Sequence, residues 1–353
     1  MRLLILTRSE LYNGIFHFGG FCKELQKYDI ECKIEDQLQF LCKFFDLKKL
    51  KKRKLFDLFL DKTKPDLVLL DDHSDLVFSL IKKKIPFLFL VRGHLWQEEK
   101  WVKETITNSF IKKIVLKRKH YIMEKCLKEA SIIIPISNFL ANVVRNYFPE
   151  KPIEVLHIDG RDPDLWKSKH GMKLKHPCVG LLQGAGVWGK TEEMLVLEKV
   201  LKTMPDVTFY WAGDGIYREK ILSQLKKYQN FKWLGKLGYP DKVLEFLSEI
   251  DVYALFSGMD GLGQSVIEAS FIGKPIVATN VGGIPETMIE NESGFLVEKG
   301  NSEQWIQRLT IFLNDKNLSN EMGRSARDFA LSKFSWQQIT KEFVSILKKH
   351  EIN

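Results

Sequence analysis

The chain has 353 residues, 44% hydrophobic and 28% charged, which leaves room for two domains with full cores and is too apolar for a disordered chain. No run of about 18 or more apolar residues occurs, so no membrane-spanning helix is expected. The charge is lopsided: residues 1–170 hold 32 Lys and Arg against 23 Asp and Glu, a net of +9 that equals the net charge of the whole chain, so residues 171–353 balance to zero.

The first segment, Met1-Arg-Leu-Leu-Ile-Leu-Thr7, is too short for the apolar core of a secretory signal and reads as a buried first strand. Further strands are expected near 29–36, 66–72, 87–92, 131–136 and 153–158, with helices between them. They are continuous apolar runs rather than alternating ones, the pattern of a parallel sheet covered on both faces. Gly14 and Gly19-Gly20, after the first strand, are expected to mark a loop beside a ligand. Asp71-Asp72-His73-Ser74 and Arg92-Gly93-His94 each end an apolar strand, where an open α/β sheet places ligand groups. His73, Arg92 and His94 are therefore candidates. Asp71, Asp72, His73 and Asp75 have the composition of a metal-binding set but read better as a solvated loop, and no metal is expected. Ser137 and Asn138 read as a helix cap.

The positive charge concentrates in Lys48-Lys49-Leu-Lys51-Lys52-Arg53-Lys54, in Lys82-Lys83-Lys84, and in Lys112-Lys113 with Lys117-Arg118-Lys119. The first of these tracts neighbours Leu41, Phe44, Phe45 and Leu55. The third neighbours Phe110, Ile111, Ile114 and Val115. A basic amphipathic helix can lie on an anionic membrane surface, each Lys or Arg adding about 1 kcal/mol; a solvated helix face is the competing reading. No recognition motif accompanies the charge, so nucleic acid is not expected as a partner. The 5 Cys are scattered and read as reduced, packed thiols of a cytosolic protein.

Asp159-Gly-Arg-Asp-Pro163 and the Lys- and His-rich stretch 167–177 carry turn signals. They divide the chain into domains 1–165 and 166–334, followed by a last helical segment, 335–353. In the second domain, strands are expected near 178–184, 207–213, 231–234, 252–257, 275–279 and 294–297. After the first of them comes Gly184-Ala-Gly186-Val-Trp-Gly189-Lys190. Small residues let backbone approach a diphosphate, and Lys is a point charge for it. Gly213-Asp214-Gly215 and Gly235 end the next two strands. The most informative stretch is Asp260-Gly261-Leu-Gly263-Gln264-Ser265-Val-Ile-Glu268-Ala269. Its glycines admit close backbone approach. The helix that starts at Gln264 and Ser265 presents N–H groups and a positive dipole end to a phosphate. Glu268 follows within reach of hydroxyls attached to that phosphate. An ordinary strand-to-helix turn is the alternative.

The order DGLGQSVIEA, GKPIVATNVGGIPE, ESGFLV is similar to the C-terminal half of retaining glycosyltransferases of the GT-B fold, family 4 (glycosyl transferases group 1). That family carries two acidic residues separated by seven positions. Asp260 and Glu268 stand at this spacing, with Asp in place of the usual Glu. The resemblance implies an α/β architecture of two Rossmann-like domains facing across a cleft, with a closing helix that crosses back to the first domain. It implies Glu268 on the nucleotide ribose, Asp260 on the donor sugar and Lys190 on the departing diphosphate. Gly186, Asp214, Gly235, Gly261, Gly263, Gln264 and Ser265 would line the donor. His94 would stand beside the transferred sugar, with Gly14, Gly19, Gly20, His73 and Arg92 on the acceptor side. The implied reaction is a hexosyl-type transfer from a nucleotide-diphosphate sugar to a glycan or lipid-linked acceptor. It uses no metal and no cofactor, the donor being a substrate, and takes place in the cytoplasm or peripherally on the cytoplasmic membrane face. Two departures stand out. Gln183 or Gly184 occupies the place of an Arg that usually follows the first strand of the second domain. His157-Ile-Asp-Gly-Arg161 replaces an Asn-Gly-Val-Asp-like linker turn. A sugar-nucleotide epimerase of the same architecture and a non-catalytic nucleotide-sugar-binding protein are the other readings.

Overall fold

The computed structural model describes residues 1–7, 14–40, 49–105 and 110–352. The chain divides into two compact units, residues 1–160 with 336–353, and residues 161–335.

The first unit holds a five-stranded parallel sheet of β1 (Arg2–Thr7), β2 (Glu31–Asp36), β3 (Leu67–Asp71), β4 (Phe87–Val91) and β5 (Ile132–Pro135), in the order β2-β1-β3-β4-β5. β3, β4 and β5 are buried along their whole length, which is why Leu-Val-Leu-Leu, Phe-Leu-Phe-Leu-Val and Ile-Ile-Ile carry no polar alternation. Parallel neighbours need crossovers. The helices α1 (Gly14–Leu25), α2 (Lys49–Thr63), α3 (Val77–Lys83), α4 (Leu95–Thr105) and α5 (Phe110–Glu129) lie in these connections, and α6 (Asn138–Tyr147) follows β5. Ser137 caps α6, its side chain accepting from the Leu140 amide.

Three expectations for this unit are corrected. Segment 153–158 is not a strand. Its start is bridged to β5 through Ile133 and Ile153. Then Ile158 N–H donates to the Leu156 carbonyl and Asp159 N–H to that of His157, closing tight turns that take the chain out of the ladder. Gly19 and Gly20 lie within α1 rather than in a loop. A Cβ on Gly20 would fall 2.2 Å from Cδ1 of Trp336, so the glycine makes room for an indole. Cys22 and Cys32 form a disulfide rather than two thiols: α1 packs against β2 and brings their Cα atoms to 5.2 Å, within bridging range. Cys126 and Cys178 are free and buried; Cys42 lies outside the described residues.

The second unit holds a six-stranded parallel sheet of β6 (Cys178–Leu182), β7 (Thr208–Ala212), β8 (Phe231–Gly235), β9 (Val252–Leu255), β10 (Ile276–Thr279) and β11 (Phe295–Val297), in the order β11-β10-β9-β6-β7-β8. Its helices are α7 (Trp188–Thr191), α8 (Leu197–Thr203), α9 (Arg218–Leu225), α10 (Asp241–Glu249), α11 (Gln264–Ile272), α12 (Ser302–Asn314) and α13 (Lys316–Phe334). The last helix, α14 (Trp336–Lys349), belongs to the first unit. There Phe343 meets Phe21 edge-on at 5.2 Å, and Trp336 packs on Phe18 and Phe21.

Each sheet has one point where the strand order reverses, between β1 and β3 in the first and between β6 and β9 in the second. The chain leaves these strands in opposite directions, which opens a crevice at their C-terminal ends. After β6 and β9 come residues 183–190 and 256–263. After β3 comes Asp72-His73-Ser74; the residues directly after β1 lie outside those described.

Candidate functional site

In the second unit the loops at the switch point are locked mainly backbone to backbone, with one side-chain amide joining in. Gln183 Nε2 donates to the Phe256 carbonyl at 2.6 Å, and Gly258 N–H to that of Lys190 at 2.9 Å. The loop after β7 joins through Ala185 N–H to the Asp214 carbonyl at 2.9 Å, and the loop after β10 through Gly283 N–H to the Asp260 carbonyl at 3.0 Å. There is no space for side chains at these crossings. A Cβ would lie 1.9 Å from the Gln183 carbonyl oxygen at Gly213, 2.0 Å from that of Asp260 at Gly282, and 2.1 Å from that of Gly261 at Gly283. Gly263 has φ +89° and precedes α11 with no side-chain cap; Val266 N–H turns back to the Gly263 carbonyl at 3.0 Å, and the Gln264 and Ser265 amides begin the helix without a side-chain acceptor. Gly186 differs from the others: a Cβ there meets nothing within 4 Å.

The two acids sit differently. Asp260 is half-buried, and its carboxylate has no hydrogen-bond or ion-pair partner among the described residues. Glu268 is buried, and its Oε1 accepts from Arg161 Nη2 at 2.7 Å and from the Tyr239 hydroxyl at 3.1 Å. Ser265 Oγ accepts from the Tyr253 hydroxyl at 2.6 Å; burial raises that phenol's pKa and keeps it a donor. Lys190 lies half-buried in the single turn α7. Gln183, in the place of the family's Arg, is buried and committed to the Phe256 carbonyl. Asp214 accepts from Gly215 N–H at 2.7 Å and Arg218 Nη1 at 3.2 Å, the bonding of a turn residue. Gly235, at φ +74°, accepts from Gly213 N–H at 2.8 Å. The strand ends thus bring Gly186, Asp260, Gly261, Gly263, Gln264, Ser265 and Lys190 to one edge of the sheet. Arg161 and Tyr239 were not expected there. The sequence offered little signal for Arg161, which stands between Asp159 and Asp162 in a charged turn where nothing local marks it as buried or names its acid.

In the first unit Arg92 is enclosed. Its Nε donates to Asp71 Oδ1 at 2.6 Å and its Nη1 to Asp159 Oδ1, with both carboxylates buried. Thr7 Oγ1 donates to the other Asp71 oxygen at 2.8 Å. His94 Nδ1 accepts from Gln97 N–H at 3.2 Å, and burial lowers its pKa. The ring is therefore neutral near pH 7 and carries its proton on Nε2. His73 Nδ1 is 2.7 Å from Asp72 Oδ1. Gly14 opens α1. On α5, Ile111, Ile114 and Tyr121 are exposed, as are Leu55 and Leu58 on α2. Lys83 pairs with Asp61 at 2.5 Å and Lys82 with Asp57 at 3.5 Å. Leu41, Phe44, Phe45 and Lys48 lie outside the described residues, as do the side chains of Lys49, Lys51, Phe110 and Lys112. No helix among the described residues is long and apolar enough to cross a membrane.

One cation-ligand set occurs among the described residues, His176, Cys178 and Asp251, with ligand atoms within 4.8 Å of one another. It lies at the opposite end of β6, and its groups satisfy each other. His176 bonds Asp251 at 2.8 Å and Glu249 at 3.2 Å, and Cys178 N–H donates to Asp251 at 2.7 Å.

Residues 193–329 match the family described as Glycosyl transferases group 1. The fold is GT-B. Over 99% of this chain and 100% of the other, it superposes on Anabaena HepE in complex with UDP-glucose at a TM-score of 0.73 and 16% identity. Over 99% and 98%, it superposes on sucrose-phosphate synthase from Thermosynechococcus elongatus at 0.73 and 13%. In sequence it is 29% identical over 161 residues to an uncharacterised glycosyltransferase of Methanocaldococcus jannaschii, covering 45% of this chain and 44% of that protein. It is 24% identical over 228 residues to N-acetyl-alpha-D-glucosaminyl L-malate synthase of Bacillus anthracis, covering 62% and 60%. The chain thus spans about half the length of these two curated relatives. Over the matched portion the chain is similar to glycosyltransferases of the group 1 type.

Proposed function

We propose that this protein is a retaining, hexosyltransferase-like glycosyltransferase that moves a sugar from a nucleotide-diphosphate donor to a glycan or lipid-linked acceptor, without a metal ion. The observation that carries this reading is the edge of the second sheet, where a carboxylate without a partner among the described residues, a helix start with no side-chain cap, and a carboxylate bonded through one oxygen follow one another within nine residues. The diphosphate takes the start of α11 and the Lys190 ammonium, which gain strength as negative charge develops on the leaving group. Gly186 leaves open space for its close approach. Asp260 accepts from the hydroxyls of the donor sugar and Glu268 from those of the ribose. In transfer, the bond from the anomeric carbon to the phosphate oxygen breaks as the acceptor oxygen bonds the same face, and the leaving phosphate takes the acceptor proton. His94, with its proton on Nε2, donates to the sugar or to the acceptor.

Support for a lipid-linked acceptor comes from the first unit, whose exposed Ile111, Ile114 and Tyr121 recur along α5 beside Lys113, Lys117 and Lys119. An anionic membrane on the cytoplasmic side is the surface this pattern suits. A second reading, nucleotide-sugar binding without turnover, is favoured by Gln183, whose buried amide cannot grip a diphosphate as an Arg would. A thermal-shift screen across nucleotide sugars, followed by incubation of the stabilising donor with acceptors, tests both. Stabilisation with sugar transfer supports the transferase, stabilisation without turnover the binding protein, and no stabilisation by any nucleotide sugar overturns both.

A further inference from the structure

Arg161 is 3% exposed. A guanidinium so far from water needs an acid. The acid is Glu268, 107 residues along the chain, with Arg161 Nη2 2.7 Å from Oε1. The Tyr239 hydroxyl donates to the same oxygen at 3.1 Å. The guanidinium also lies over the Trp166 ring, 5.2 Å from its centroid, and Trp166 packs on Tyr239 at 5.9 Å. Arg161, Trp166, Tyr239 and Glu268 thus close a ring of contacts within the second unit. Both donors converge on Oε1, and no donor among the described residues reaches Oε2.

We infer that Arg161 and Tyr239 are positioning residues that clamp Oε1 of Glu268 so that Oε2 faces a ligand diol, making the site selective for ribonucleotides over deoxyribonucleotides. The inference rests on the proposed reading of Glu268 as the ribose contact and adds what fixes it. A carboxylate on a free side chain samples several rotamers and loses entropy on binding. One held at Oε1 by a guanidinium and braced by two aromatic rings has lost that freedom before the ligand arrives, so the hydroxyls meet a preset acceptor. Arg161 touches no substrate in this scheme. Its effect is exerted through Glu268, and its signature is therefore a ratio of affinities rather than a uniform loss.

The test is calorimetry on the full chain with ADP, GDP, UDP and CDP, each beside its 2′-deoxy and 3′-deoxy counterpart. The wild type is expected to favour the ribonucleotide by about tenfold or more. Arg161→Gln should reduce that preference to about threefold or less. Arg161→Lys, which keeps the charge and one donor, should restore part of it. Tyr239→Phe, which keeps the ring packing, should fall between wild type and Arg161→Gln. An unchanged preference in folded Arg161→Gln and Tyr239→Phe overturns the inference. If Arg161→Gln does not fold, Tyr239→Phe decides alone, an unchanged ratio again overturning it. A wild type that binds ribo and deoxy forms equally overturns this inference and leaves the donor site standing; a wild type that binds none of the nucleotides overturns the donor reading itself.

Discussion

The two units share a parallel sheet and tie off their strand ends by different means. In the second, the loops after β6, β7, β9 and β10 are joined by backbone hydrogen bonds, and glycines supply the closeness. In the first, the ends of β1, β3 and β4 are joined by side chains. Thr7 and Arg92 bind Asp71, Arg92 binds Asp159, and Gln37 Nε2 donates to the Leu6 and Asp71 carbonyls at 2.8 and 2.6 Å. A backbone lock leaves ionisable groups such as Asp260 uncommitted at the sheet edge. A side-chain lock spends them on each other. Charge runs the opposite way: the first unit holds 32 Lys and Arg against 23 Asp and Glu, a net of +9, and the second balances to zero. The first unit carries Lys and Arg tracts on helix surfaces, and the second pairs many of its charges with each other, as in Lys199 with Glu303 and Lys242 with Glu245. On the proposed reading, net charge marks the unit that would meet a charged surface, and local bonding the one that would meet a small ligand.

The largest expected effect breaks the comparison on its charged side. Replacing Lys51, Lys52, Arg53 and Lys54 together by Gln should remove roughly 4 kcal/mol at most of attraction to anionic vesicles. Cosedimentation at low and high salt measures it, since exposed charges are screened. Equal binding to neutral and anionic vesicles would return those lysines to a plain solvated face.

On the other side, Lys190→Ala should lower turnover about 10²-fold with the fold intact, because it removes charge stabilisation that grows in the transition state. Steady-state kinetics separates this from a loss confined to donor KM, which would make Lys190 a uniform binding group.

The backbone lock predicts a contrast between glycines. Gly282→Ala, at φ +58° and with a Cβ 2.0 Å from the Asp260 carbonyl, should cost about 1–3 kcal/mol of stability. Gly186→Ala should leave urea unfolding unchanged and weaken donor binding, since its Cβ enters space the protein does not use. Equal destabilisation by both would remove the distinction.

Glu268→Ala should weaken nucleotide affinity at least about tenfold, the loss of charged hydrogen bonds of ~1.5–3 kcal/mol each. Calorimetry on the folded variant that finds affinity unchanged would remove Glu268 from the site.

The smallest effects are in pH dependence, and they differ in sign between the units. Burial lowers the His94 pKa below its ordinary value, so the unfolded chain binds the proton more readily and stability falls as pH drops through the usual histidine range. His176 is raised, first by its hydrogen bond to Asp251. Its contribution is fully present below the usual range and is lost as pH rises through the folded value. Urea midpoints at about pH 5.5 and about pH 8 should show His94→Gln gaining relative stability at the acid end and His176→Gln losing it there. Parallel shifts in both variants would contradict the assignment.

The strands were legible in the amino-acid order because a run such as Phe-Leu-Phe-Leu-Val has no polar face to give to water and must be covered on both sides. The glycine loops were legible for a related local reason: φ +89° at Gly263 and φ +58° at Gly282 disfavour a side chain whatever surrounds them. The start of α11 and the spacing from Asp260 to Glu268 followed from the same stretch. Partner choice was not local. Arg161 and Glu268 stand 107 residues apart and Arg92 and Asp159 67 apart, and nothing in either neighbourhood names the other. The order of strands decides which ends lie side by side, and only then does a carboxylate acquire a cation. Gly20 was misplaced for this reason, since its role is set by Trp336, which returns from the far end of the chain. The bond between Cys22 and Cys32 depends likewise on α1 packing on β2. Period and composition encode burial, which each residue meets alone; pairing belongs to two residues and is decided where the folded chain brings them together.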